Sequence, residues 1–137
     1  MRARKLYCLL LFVFIVSLAS CATIPTPKDH GFTESEYNGT FGLTYFDYRP
    51  EALDWFQSKG LQGGGYSWEA LVKAVFELEP SPLMSQIELD SEGSAFNAYA
   101  TSVEAREWLK STIRKLVQHG QFRSQALEMA KQQGFLE

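Results

Sequence analysis

From Ala105 to Val117 the side chains Ala105, Trp108, Leu109, Thr112, Ile113, Leu116 and Val117 return every three or four residues without a break, and Gly120 follows. That spacing places them on one stripe of an α-helix. A helix apolar along one stripe is marginal alone and gains its stability by burying that stripe against a second layer. Any fold open to this chain must therefore supply an apolar face of matching length. Thr101 and Glu104 are spaced as a capping box that opens the helix.

Two hairpin signals supply the second layer. Asn38-Gly39, a pair suited to a tight turn with positive φ, separates residues 31–37 from residues 40–48, the latter rich in Thr, Phe and Tyr. Residues 87–90 and 95–101 flank Ser91-Glu92-Gly93-Ser94 in the same manner. Between the hairpins, Pro50 opens a short helix with Ala52, Leu53 and Phe56 on one face and Gly60 as its stop. After Gly63-Gly64-Gly65, Trp68, Leu71, Val72, Val75 and Leu78 recur at helical spacing, with Ser67 placed to cap them and Pro80 and Pro82 to end them. A last helix over residues 122–132 presents Phe122, Ala126, Met129 and Ala130 and stops near Gly134. The order is ββααββαα. It predicts a single α+β domain with a largely antiparallel four-stranded sheet packed with helices.

Ahead of the domain, Arg2, Arg4 and Lys5 precede an uncharged apolar run over residues 6–18. A membrane-spanning helix needs roughly 20 apolar residues, so this shorter run reads as the core of a cleaved export signal. Leu18-Ala19-Ser20-Cys21 resembles the bacterial lipobox. The resemblance implies a signal peptide over residues 1–20 and a lipid on Cys21, which becomes the first mature residue and makes the membrane a partner. Residues 21–30, with Pro25 and Pro27, form the lipidated cysteine and tether, and residues 31–137 form the domain. Ala22 follows the cysteine where an Asp would signal retention, which by the same resemblance implies the periplasmic face of the outer membrane. Cys8 leaves with the signal, so the mature chain carries no free thiol and needs no disulfide in an oxidising compartment.

Three of the thirteen cations fall in the signal, leaving ten against sixteen acids, a net charge of −6. That balance argues against a nucleic-acid partner. The charge is also uneven: residues 29–104 hold thirteen acids and three bases, residues 105–137 six bases and three acids. A solvated surface and an electrostatic partner surface account for this equally well.

Catalytic signals are sparse. His30 lies at the tether and His119 at a helix end, with no spacing suited to a metal site or triad. Glu88, Asp90 and Glu92 alternate along a strand and turn as a solvated edge would. The glycine run lacks the Gly-Lys-Ser/Thr ending of a phosphate loop, and reads instead as a turn with Tyr66 and Trp68 packed against it. Arg106, Lys110 and Arg114 fall at four-residue intervals opposite the apolar stripe, a solvated helix face or an alternative contact face. No catalytic residue, metal or cofactor is expected.

At Gly64-Gly65-Tyr66-Ser67-Trp68-Glu69-Ala70-Leu71, and again at Ile87 through Asp90-Ser91-Glu92-Gly93, Phe96 and Tyr99, the chain resembles the immunity protein 51 family of bacterial polymorphic-toxin systems. The family often has Gly-Asn-Gly before the tyrosine, where this chain has only glycines. The resemblance implies a non-enzymatic protein that binds and neutralises a cognate protein toxin in interbacterial competition. It transfers no catalytic residue, and Gly65, Tyr66, Trp68, Phe96 and Tyr99 are expected to be fold determinants. Toxin contact is expected at an acidic surface formed by Asp47, Glu51 and Asp54, because complementary charge speeds association and selects partners. The competing reading is a structural or assembly lipoprotein of an envelope complex, and a small hydrolase using Asp and Glu has the weakest support. Oligomeric state leaves no trace in the sequence.

Overall fold

A computed structural model describes residues 30–136. The signal peptide, Cys21 and the tether up to residue 29 lie outside the described residues. Strands β1 (Phe32–Tyr37) and β2 (Thr40–Tyr45) form the first hairpin. Asn38 and Gly39 take φ of 50° and 78°, the two positive values that a tight turn with the twist of a hairpin requires. Helices α1 (Pro50–Gln57) and α2 (Gly65–Leu78) follow, then a 3₁₀ turn (Pro82–Gln86), β3 (Ile87–Leu89) and β4 (Phe96–Ala100). Helices α3 (Val103–Gln118) and α4 (Gly120–Gln133) complete the chain, joined through the single residue His119. The ββααββαα order and the antiparallel α+β sheet agree with the sequence reading. The strand order is β1-β2-β4-β3, so β4 returns to pair with β2 and leaves β1 and β3 as edges.

The helices cover one face of this sheet. Leu43 and Tyr45 of β2, and Phe96, Ala98 and Ala100 of β4, point into them and are buried. The stripe of α3 meets that face through Leu109, Ile113 and Leu116, while α2 and α4 pack on each other through Leu71, Val75, Ala126, Leu127 and Ala130. Trp68 anchors the middle, with Tyr45 and Phe56 both edge-on to it at 5.2 Å between ring centroids. Fully burying one such side chain contributes roughly 2–3 kcal/mol, so these three rings dominate this end of the core. Among the described residues no helix is long and apolar enough to cross a membrane.

Several boundaries differ from those expected, each for a local reason. The second strand ends at Tyr45 rather than residue 48, because the Phe46 N–H makes the last bond to Gly31 and the chain then turns around Asp47. The second helix starts at Gly65, two residues before the expected cap; the Ser67 hydroxyl instead accepts a bond from the Gly63 N–H at 3.0 Å. Ser102, not Thr101, caps α3 by accepting from the Ala105 N–H, while the Thr101 N–H is taken by the Gln86 carbonyl. Pro82 opens the unanticipated 3₁₀ turn, and α4 starts two residues early, at Gly120.

Candidate functional site

The acidic surface expected around α1 is only partly acidic. The Asp47 side chain is only 3% exposed, and both of its oxygens are taken by Arg49. Nε and the main-chain N–H of Arg49 donate to Oδ1 at 2.8 and 3.1 Å, and Nη2 donates to Oδ2 at 2.5 Å. The Tyr45 hydroxyl donates to the same Oδ2 at 3.1 Å. Burial pushes the Asp47 carboxyl up, but the bonds and charge of Arg49 outweigh it and hold the carboxyl below its usual range. Burial, then the Asp47 charge, raises the Tyr45 phenol well above its ordinary value. Asp47 therefore serves the joint between β2 and α1 and offers no net charge to a partner. Glu51 and Asp54, on α1, are exposed.

The row Arg106, Lys110 and Arg114 is likewise not a solvated face. Its side chains reach over the edge strand: Arg106 and Lys110 bind the Glu34 carboxylate at 3.0 and 2.5 Å. Arg106 also lies over the Phe41 ring, and Lys110 and Arg114 lie over Phe32. Lys110 is buried. Further along α3, Lys115 pairs with Glu79 at the end of α2. Part of the charge contrast between the two halves of the sequence is thus neutralised inside the fold.

The glycine run seats α2 against the second hairpin. The Gly65 N–H donates to the Gly93 carbonyl at 3.2 Å, and the Ser91 N–H donates to Glu69 Oε2 at 3.1 Å. A Cβ on Gly65 would fall on the carbonyl oxygens of Glu92 and Ala95, and one on Gly64 on that of Gly93. The first N–H of the helix is thereby taken by a main-chain carbonyl. Of the five motif residues, Gly65, Trp68 and Phe96 are buried, whereas Tyr66 and Tyr99 are 50% and 43% exposed. Leu53 and Phe56 are the side chains that line Gly63, and Tyr66 stands half exposed at the start of α2. It borders a shallow groove of about 220 Å³ with Leu61, Glu69, Lys73, Phe135 and Leu136.

Tyr99 lies on the sheet face that, among the described residues, no helix covers. Register aligns two rows across that face: Ser35, Gly42, Tyr99 and Glu88, then Thr33, Thr44 and Asn97, with Asp90 joined to Asn97 through its N–H. The family resemblance singles out Tyr99 and spacing the alternating acids, but neither reveals this assembly. The signal in the sequence is the alternation Thr33-Ser35-Tyr37 and Thr40-Gly42-Thr44, which becomes a surface only once the β2–β4 pairing is known. Among the described residues, no group of His, Cys, Asp or Glu is placed to hold a metal ion, and His119 serves as the joint between α3 and α4.

The family model for immunity protein 51 matches residues 31–132. No curated protein and no solved structure shows a significant match to the chain.

Proposed function

The chain belongs to the immunity protein 51 family, and from that premise we propose that it is a lipid-anchored immunity protein which binds and neutralises a cognate secreted toxin acting in the periplasm or envelope. The family match carries this reading, since it spans both hairpins and nearly all of the helices that pack on them. The proposal assigns no catalytic step: protection comes from occupancy of the toxin. Of the three acids expected to meet the toxin, Asp47 is engaged in fixing the approach to α1, and Glu51 and Asp54 are left exposed as a pair too small to form a docking surface by themselves. The basic row is the weaker contact face, because Arg106 and Lys110 are engaged with Glu34.

Compartment follows from the N-terminal pattern Leu18-Ala19-Ser20-Cys21. Each methylene of an acyl chain buried in a bilayer contributes about 0.8 kcal/mol, so several chains on Cys21 would hold the protein at a membrane permanently. The tether then keeps the domain within about 30 Å of the surface, at roughly 3.3 Å per residue. A toxin intercepted there is met outside the cytoplasm. Cys21→Ala is expected to move the protein from the membrane to the soluble periplasmic fraction; retention of the variant in the membrane fraction would remove the anchor from the account. Neutralisation is tested by challenging a deletion strain with its toxin-delivering parent. Killing that is reversed by the gene is the expected result, and undiminished fitness of the deletion strain would overturn it.

A further inference from the structure

We propose that the helix-free face of the sheet is the toxin-docking surface and that it receives a contact patch rich in lysine or arginine. The inference rests on the immunity reading and adds to it the place and chemistry of contact.

The two rows give this face its character. Ser35, Thr33, Thr44 and Asn97 supply hydrogen-bonding groups, Tyr37 and Tyr99 supply aromatic area, and Glu88 and Asp90 form the border along β3. Neither row contains an aliphatic side chain or a cation. A face made only to meet water carries both signs of charge interspersed. Here a single sign is present. Tyrosine, serine and asparagine are also the residues that make contact area and adaptable hydrogen bonds at small entropic cost.

The face is partly organised in advance. Gly42 is buried beneath its neighbours: Tyr99 Cδ1 lies 3.8 Å from the position of a Cβ there, and that Cβ would fall on the Ser35 hydroxyl. The Thr44 hydroxyl donates to Asn97 Oδ1 at 2.8 Å, which sets the amide and turns its NH₂ group toward other acceptors, such as a main-chain carbonyl of a partner. Tyr37, at the end of β1, is 77% exposed. A tyrosine ring face beside carboxylates attracts ammonium and guanidinium groups.

Charge selects the partner. Arg49 is held by Asp47, Lys73 by Glu69, Arg106 and Lys110 by Glu34, Lys115 by Glu79 and Lys131 by Glu128. These pairs draw the cations toward α-helical and edge positions on the covered side, and none of them reaches Glu88 or Asp90. The field at the open face is consequently negative, and its complement is a cationic patch.

The test measures association of the purified mature protein with the toxin that kills its deletion strain, at low and moderate salt. Glu88→Lys combined with Asp90→Lys is expected to weaken binding and slow association by about tenfold or more, while Glu51→Lys with Asp54→Lys changes affinity by less than about twofold. Tyr37→Ala, at an exposed position, should weaken binding with no change in the thermal midpoint, so the inference stays decidable if the charge-reversed protein is unstable. Wild-type affinity in both the β3 double variant and Tyr37→Ala would overturn the docking surface and leave the immunity reading intact. Equal losses from the β3 and α1 charge reversals would also overturn it, because they indicate a diffuse field rather than a face. A wild-type protein that does not bind the toxin would overturn the immunity reading and the inference with it.

Discussion

Asp47 shows how a single side chain changes meaning once its surroundings are known. In the sequence it stands in an acidic stretch; in the fold it is the acceptor for Arg49 and Tyr45 and is nearly closed to water. Asp47→Ala should destabilise the protein by about 2 kcal/mol, toward the low end for breaking a buried pair because Arg49 keeps some contact with solvent. The pH dependence follows the same geometry. A carboxyl held below its usual value contributes stability that is complete above the unfolded value of about 3.9 and is lost as pH falls through the lower, folded one. Acid unfolding of Asp47→Asn, followed by circular dichroism, should therefore show a shallower loss of stability below pH 4 than wild type. An unchanged slope would place the acid sensitivity elsewhere. Glycines divide just as sharply. Gly65→Ala drives a methyl onto two carbonyl oxygens and is expected to cost about 3 kcal/mol or more, while Gly93→Ala, with open space around it, should stay within about 0.5 kcal/mol in chemical denaturation.

Elements were more legible in the sequence than their relations. The stripe of α3, the Asn38-Gly39 turn and the Gly134 stop announce themselves by spacing and chemistry that act within a few residues. The cation row was misread for a geometric reason. With about 100° between successive helical residues, Arg106, Lys110 and Arg114 lie on the flank of the stripe, not behind it. That flank meets the edge strand, whose inward positions are Phe32 and Glu34. No local signal in the sequence states that β1 will pass there. The docking face was illegible for the same reason, since Ser35, Gly42, Tyr99 and Glu88 become neighbours only through long-range register. The α3–β1 contact gives a prediction of its own. Glu34→Ala removes a carboxylate paired with a buried ammonium and should cost about 2 kcal/mol, whereas Lys110→Met, which keeps the stem and removes the charge, should change stability by less than about 1 kcal/mol. Equal losses in urea unfolding would mean that the aliphatic stem, not the charge pair, holds the strand.

At the scale of the whole molecule, the chain is a sheet with one working side. Helices close one face and fix the strands, which leaves the other face free to be shaped for a partner without disturbing the core. The first hairpin begins at Gly31, beside Phe46, and its Asn38-Gly39 turn lies at the opposite end, about 20 Å away at the rise of an extended strand. Neutralisation is proposed to take place outside the cytoplasm, by an anchored immunity protein. It is tested most directly in the deletion strain, complemented either with the full chain or with a form that starts at residue 22 behind a new Met and stays in the cytoplasm, both at equal levels. Survival against the toxin-delivering parent should be restored by the full chain and not by the cytoplasmic form. Equal protection by the two forms, or protection by neither, would contradict it.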